Sequence, residues 1–173
     1  DLCVFCTGIH DPDAEKKLSG EKIREIMDTN FFGTLNCIMA VNSFFREKKD
    51  GHIAIVSSVA GYRGLPAASG YCASKAALTS LAESLYFDFK RKNVKVSLIS
   101  PGFIKTPMTD KNRFPMPMIK SPEYAAEKIF IGLTKKNSFE IDFPKSFTIL
   151  LKLLKIMPNW LFFWLVERGV KRF

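Results

Sequence analysis

Apolar residues fall along the chain in short blocks that alternate between two spacings. Leu2–Thr7 is a compact apolar run ending in Thr7-Gly8, the pattern of a buried strand. Glu21–Arg46 carries Ile23, Ile26, Met27 and Phe31 at helical spacing. His52–Ser57 is short and rich in β-branched residues, which predicts a second strand. Ser69–Arg91 has an apolar stripe of Ala73, Ala76, Ala77, Leu81, Leu85 and Phe87, and predicts a helix. Asn93–Ile99 reads as a strand closed by Pro101-Gly102. Ser121-Pro122-Glu123 is a helix start with Pro in the first turn, leading into Glu123–Thr134. Ser138–Phe143 is a last short strand. Between the third strand and its helix, Met108–Lys120 is a long loop of the kind that often serves as a lid.

Strands and helices in alternation predict an α/β fold with a mainly parallel sheet. Ligands in such a sheet bind at the carboxyl ends of the strands. Three loops lie there: Thr7-Gly8, Ser57-Ser58, and Pro101-Gly102 onward. The alternation covers residues 1–143, and Pro144–Phe173 is set apart as a hydrophobic, basic tail.

Composition excludes some classes. The 173 residues are 47% hydrophobic and 25% charged, enough apolar side chain for a core, so the chain is not disordered. Ten Gly and nine Pro exclude a collagenous or low-complexity chain. A net charge of +9 directs attention to nucleic acid, an anionic membrane or a phosphorylated ligand. The basic residues are dispersed and no nucleic-acid motif is present, so nucleic acid is not an expected partner.

Cys3 and Cys6 form a C-x-x-C, but no second such pair completes a zinc site, and His10 and His52 lack ligand spacing. Three apart on a strand, the two thiols point to opposite faces. Together with Cys37 and Cys72 they are expected to be reduced thiols of a cytosol-facing protein, with no metal site.

The chemistry-bearing residues cluster after the second strand. Ser58 lies at its carboxyl end, Tyr71 opens the next helix, and Lys75 follows one turn on, on the same helix face. A free phenol has a pKa near ~10, too high to exchange protons at neutral pH. A neighbouring ammonium favours the phenolate, and Ser58 can donate a hydrogen bond to the same substrate oxygen. Asn30 and Gly33 both weaken the helix that contains them, which suggests either a kink or a functional interruption.

These residues resemble the short-chain dehydrogenase/reductase family. The matching segments are TNFFG with Asn30, IVSSVAG with Ser58, YCASK with Tyr71 and Lys75, and PGFIKTPM from Pro101 to Met108. The resemblance runs from Asp1 to about Phe143 and implies a Rossmann-like doubly wound parallel sheet. It implies an oxidoreductase that moves a hydride between NAD or NADP and a carbonyl or secondary alcohol. Tyr71 would be the acid or base, Lys75 would lower its pKa and hold the nicotinamide ribose, and Ser58 would polarise the carbonyl. Asn30 would interrupt its helix and order a water in a relay to Lys75. Ile104 would meet the carboxamide through backbone groups, and Thr106 would bond to carboxamide or phosphate, in the loop opened by Pro101 and Gly102. A homo-oligomer built on the Tyr71 helix and the one before it is also implied.

Two departures qualify the likeness. Where the family usually has Asn-Asn-Ala-Gly, this chain has Phe5-Cys6-Thr7-Gly8, so Gly8 alone carries over as a cofactor-side residue. The Gly-rich turn that cradles a pyrophosphate is not in the chain, and in the family it precedes the strand with which this chain opens. The expectation is therefore the catalytic two-thirds of a larger fold, lacking its first β-α-β units. If that absence were native, a non-catalytic binding or scaffold protein would be the alternative.

The tail departs from the family's usual ending. Its longest apolar run, Trp160–Val166, is far shorter than the ~18–20 residues of a spanning helix. Lys145, Lys152, Lys155, Arg168, Lys171 and Arg172 stand against one acid, Glu167. That composition fits a helix lying in a membrane interface, a lid on the substrate cleft or a dimer contact. The loop and tail together suggest a hydrophobic or lipid-like substrate and a peripheral membrane location.

Overall fold

A computed structural model describes residues 1–112, 114–136 and 138–170. Its sheet has four parallel strands in sequence order: β1 (Leu2–Phe5), β2 (His52–Val56), β3 (Lys95–Pro101) and β4 (Glu140–Phe143). Leu2 pairs with His52, His52 with Lys95, and Leu98 with Glu140. The helices are α1 (Pro12–Lys16), α2 (Gly20–Met27), α3 (Thr34–Lys48), α4 (Ser69–Lys90), α5 (Pro122–Ile131), α6 (Lys145–Ile156) and α7 (Asn159–Val170).

Side-chain alternation along β2 and β3 divides the core into two layers. Ile53, Ile55, Val96 and Leu98 face Ile38 and Phe45 of α3 and Leu78, Ala82 and Phe89 of α4. Ala54 and Ile99 point the other way, onto Ala125 of α5, Leu133, Ile141 and Phe143. This second layer stops short of β1, where Leu2 and Val4 stay exposed. Burial on both faces explains why β2 reads as a continuous apolar run rather than an alternating one.

The single helix expected over Glu21–Arg46 is divided. Asp28–Gly33 forms a π-helical turn between α2 and α3, with Asn30 fully buried inside it. A π turn widens the helix and frees backbone groups, which suits a stretch holding two poor helix formers. The helix α1 was not legible in the sequence, being one short turn capped by the Asp11 carboxylate. Among its described residues the long loop holds a short 3-10 turn at Thr109–Lys111, and its end is bridged from Ile104 to Lys120.

The tail packs onto the α/β layers. Phe147 and Phe162 are buried and Thr148 is wholly enclosed. Phe147 meets Phe103 with ring centroids 5.6 Å apart, and packs with Val59 and Tyr62. Gly102 permits this approach, because a Cβ there would stand 3.0 Å from the Phe147 ring. Among the described residues no helix is long and apolar enough to cross a membrane.

Candidate active site

The carboxyl ends of β1 and β2 and the first turns of α4 converge on one place. Two adjacent serines at the end of β2 divide the work. Ser57 is buried; its hydroxyl donates to the Lys75 carbonyl at 2.8 Å and meets Thr79 Oγ1 at 3.1 Å. It therefore pins the strand end to α4. Ser58 caps the 3-10 turn Val59–Gly61 by accepting from Ala60 N at 3.1 Å, and its hydroxyl lies on the side of the Tyr71 phenol, where it favours the phenolate.

Tyr71 and Lys75 share a face of α4, with the ammonium 5.7 Å from the phenol ring centroid. The sequence reading has Lys75 lowering the phenol pKa, but here burial dominates and pushes Tyr71 upward, while the Ser58 hydroxyl pulls it down. Tyr71 is thus held as a neutral phenol, the form of a proton donor. Burial acts on Lys75 in the opposite sense and pulls its ammonium down to about 8. Among the described residues its hydrogen-bond partner is the Val56 carbonyl, at 3.0 Å.

Asn30 reaches this cluster from the π turn. Its Oδ1 accepts from Ile9 N at 2.7 Å, and its Nδ2 donates to Ile9 O and to Ser74 Oγ, each at 3.0 Å. With both amide hydrogens committed, the side chain fastens the loop after β1 to α4. A water ordered by Asn30 would have to donate to one of its oxygens: Oδ1, which accepts from Ile9 N, or the backbone carbonyl, to which Thr34 Oγ1 donates at 2.8 Å. Gly8 lies between Asn30 and Lys75, and a Cβ there would stand 3.3 Å from Nζ and 3.5 Å from Oδ1. Space beside the ammonium therefore depends on a glycine.

Pro101 ends β3 and Gly102 N donates to Phe143 O at 2.8 Å. Thr109 closes the next turn: its hydroxyl donates to Ile104 O at 2.7 Å and accepts from Thr106 N at 2.9 Å. Ile104 and Thr106 are held in a built turn rather than in open loop.

The sequence gives no sign of how α4 begins. Its N-cap, Ala68, has no capping side chain. Glu15 supplies the cap instead, accepting from Gly70 N at 2.6 Å and Tyr71 N at 3.0 Å. The same carboxylate meets His10 Nδ1 at 2.7 Å, and the His10 ring lies 4.7 Å from that of Tyr71. Glu15 is 3% exposed and one of its oxygens takes both cap bonds, so a glutamine keeps an acceptor there but loses the charge at the helix N-terminus and turns a nitrogen toward His10 Nδ1. Glu15→Gln is expected to lower the unfolding free energy by about 2 kcal/mol, measured by urea denaturation. No such signal was available in sequence, since 55 residues separate Glu15 from Gly70.

A parallel α/β sheet flanked by helices, with Ser58, Tyr71 and Lys75 gathered at its carboxyl edge, is the layering of a Rossmann-like domain. The match of residues 1–117 to the short chain dehydrogenase model places the chain in that family. It is 38% identical over 162 residues to an uncharacterized oxidoreductase of Myxococcus xanthus, covering 94% of this chain and 64% of that protein. It is 36% identical over 111 residues to retinol dehydrogenase 8 of Bos taurus, covering 64% of this chain and 36% of that one. A crystal structure of a short chain dehydrogenase from Mycobacterium paratuberculosis bound to NAD superposes with a TM-score of 0.71 at 26% identity, covering 82% of this chain and 62% of that one. The chain thus spans less than two-thirds of the length of these relatives.

Proposed function

We propose that the protein is an NAD- or NADP-dependent oxidoreductase acting on a carbonyl or secondary alcohol of a hydrophobic, lipid-like substrate. The observation that carries this reading is the half-buried, neutral Tyr71 phenol beside the Ser58 hydroxyl, with the Lys75 ammonium on the same helix face. A structural neighbour bound to NAD and a relative named for retinol, an apolar alcohol, support the cofactor and substrate classes.

The residues present fit a nicotinamide dinucleotide. Lys75 Nζ has three N–H groups, and the Val56 carbonyl takes one, leaving donors for ribose hydroxyls beside Gly8. Pro101, Gly102, Ile104 and Thr106 would border its carboxamide from the next strand end. When bound, the dinucleotide supplies or accepts the hydride. Ser58 and Tyr71 direct their O–H groups at the substrate carbonyl oxygen. Tyr71 donates its proton there as negative charge develops on that oxygen, and the resulting phenolate is favoured by the Lys75 charge. In the oxidative direction the phenolate removes the alcohol proton, so oxidation should climb with pH.

Self-association is assigned to α3 and α4, which leave Met39, Phe44 and Phe87 exposed. The functional reading is tested by titrating the full-length protein with NADH and NADPH and following nucleotide fluorescence. Saturable binding of at least one is expected; no binding of either would refute the oxidoreductase assignment.

A further inference from the structure

We infer that α6 and α7 form a docking surface for an anionic lipid bilayer. Helix α6 is apolar on both sides. Phe147 and Thr148 are buried and Leu151 packs with them, whereas Ile149, Leu150, Leu153 and Ile156 lie one turn apart on the outer side and are more than half exposed. Helix α7 repeats this arrangement, with Phe162 buried and Trp160, Phe163 and Trp164 outward. Ile156 and Trp160, 80% and 72% exposed, flank the turn between the helices. An amphipathic protein surface would place polar residues there; this one places its largest apolar side chains.

The hairpin is held rigidly enough to present that surface. Lys152 bonds to Glu140 at 2.6 Å and Asp142 at 3.3 Å, and Lys145 pairs with Asp142. Arg63, in the loop that begins at Ser58, donates to Leu154 O at 2.8 Å and Met157 O at 2.7 Å. It also bonds to the Asn159 side chain and stacks over the Phe162 ring at 4.0 Å. Arg63 thus satisfies carbonyls left open at the end of α6 and fixes where α7 starts.

Charge distinguishes a bilayer from a second copy of the chain. Arg168 borders the outer face and among the described residues has no ion-pair partner, whereas Lys155 turns inward and lines a groove with Glu83, Glu140 and Lys152. Arg168 lies over the Trp164 ring at 3.9 Å, joining a cation to an indole as suits a headgroup region. The only acid on either helix is Glu167. With a single acid across the two helices, the face offers a second copy little to pair with Arg168, whereas anionic headgroups complement it. The apolar surface continues past Ser146, whose hydroxyl meets Met118 Sδ at 3.4 Å, onto exposed Phe114 and Met118 of the loop before α5. If the proposed function holds, this long loop borders the acyl phase from which a lipid-like substrate would enter.

The test is flotation of the full-length protein with phosphatidylcholine vesicles, with and without phosphatidylserine, alongside its mass from light scattering. Wild type is expected to partition onto phosphatidylserine vesicles, less so at high salt. Trp160→Ser with Phe163→Ser should reduce partition at least tenfold without changing the mass or the thermal transition. Arg168→Glu, which leaves the apolar face intact, should weaken the preference for phosphatidylserine. Absence of wild-type binding, or unchanged partition of the first variant, would overturn the inference. A fall in mass for that variant would assign the face to a second copy. The readout is independent of turnover, so it can fail while the nucleotide titration succeeds.

Discussion

Tyr71→Phe is expected to lower turnover of the full-length protein by roughly 10²–10⁴-fold while leaving nicotinamide nucleotide affinity within a factor of two or so. The substitution removes one oxygen and keeps the ring that stacks against His10 and packs beside Ala60, Ala68 and Cys72. Cap bonds from Glu15 involve backbone N–H groups and survive. Stability should change by no more than about 1 kcal/mol, since one half-buried hydroxyl is lost and the Ser58 oxygen keeps its bond from Ala60 N. Steady-state turnover with NADH or NADPH, paired with a fluorescence titration, reads both quantities. Turnover near wild type would exclude Tyr71 as the proton donor and leave the fold intact as a binding module. In the wild type, burial holds the phenol above its ordinary range, so the reductive rate should not fall as pH rises from 7 to 9 through loss of this proton.

What the sequence disclosed of this site follows from distance along the chain. Ser58, Tyr71 and Lys75 sit at a strand end and one helical turn apart, and both relations can be read from local spacing. Asn30 was legible as a defect in a helix, and the π turn gives that defect a shape. Glu15 and Arg63 act across 55 and more than 90 residues, and no periodicity reports such contacts. The tail shows another limit. Lys145 and Lys152 count as free cations in a sequence, yet Glu140 and Asp142 neutralise them inside the structure. Because both sides of α6 are apolar, its pattern could not tell which side the core would cover.

Lys75→Met should yield a protein that is inactive yet more stable than the wild type at pH 7. Lys75 is 4% exposed, and burial lowers its ammonium from 10.5 to about 8. The unfolded chain therefore binds a proton that the native state lacks between those two values, so wild-type stability rises with pH across that window. Above the unfolded value the group is neutral in both states and carries no charge penalty; as pH falls through about 8 the native state takes on the buried charge, and the penalty is complete below that. A shift of this size corresponds to about 3 kcal/mol. Methionine keeps the unbranched stem and discards the charge, but strands the Val56 carbonyl, which returns about 1 kcal/mol of the gain. The net is a stabilisation of about 2 kcal/mol at pH 7, measured by urea denaturation. The gain should shrink from pH 8 upward and reverse slightly near pH 10.5, where a neutral amine still bonds to Val56 and methionine cannot. A variant no more stable at pH 7 would show that the pocket accommodates the ammonium without penalty. A stabilised but inactive variant would identify Lys75 as a group the fold retains against its own stability, which is the behaviour expected where a charge serves binding and proton transfer rather than packing.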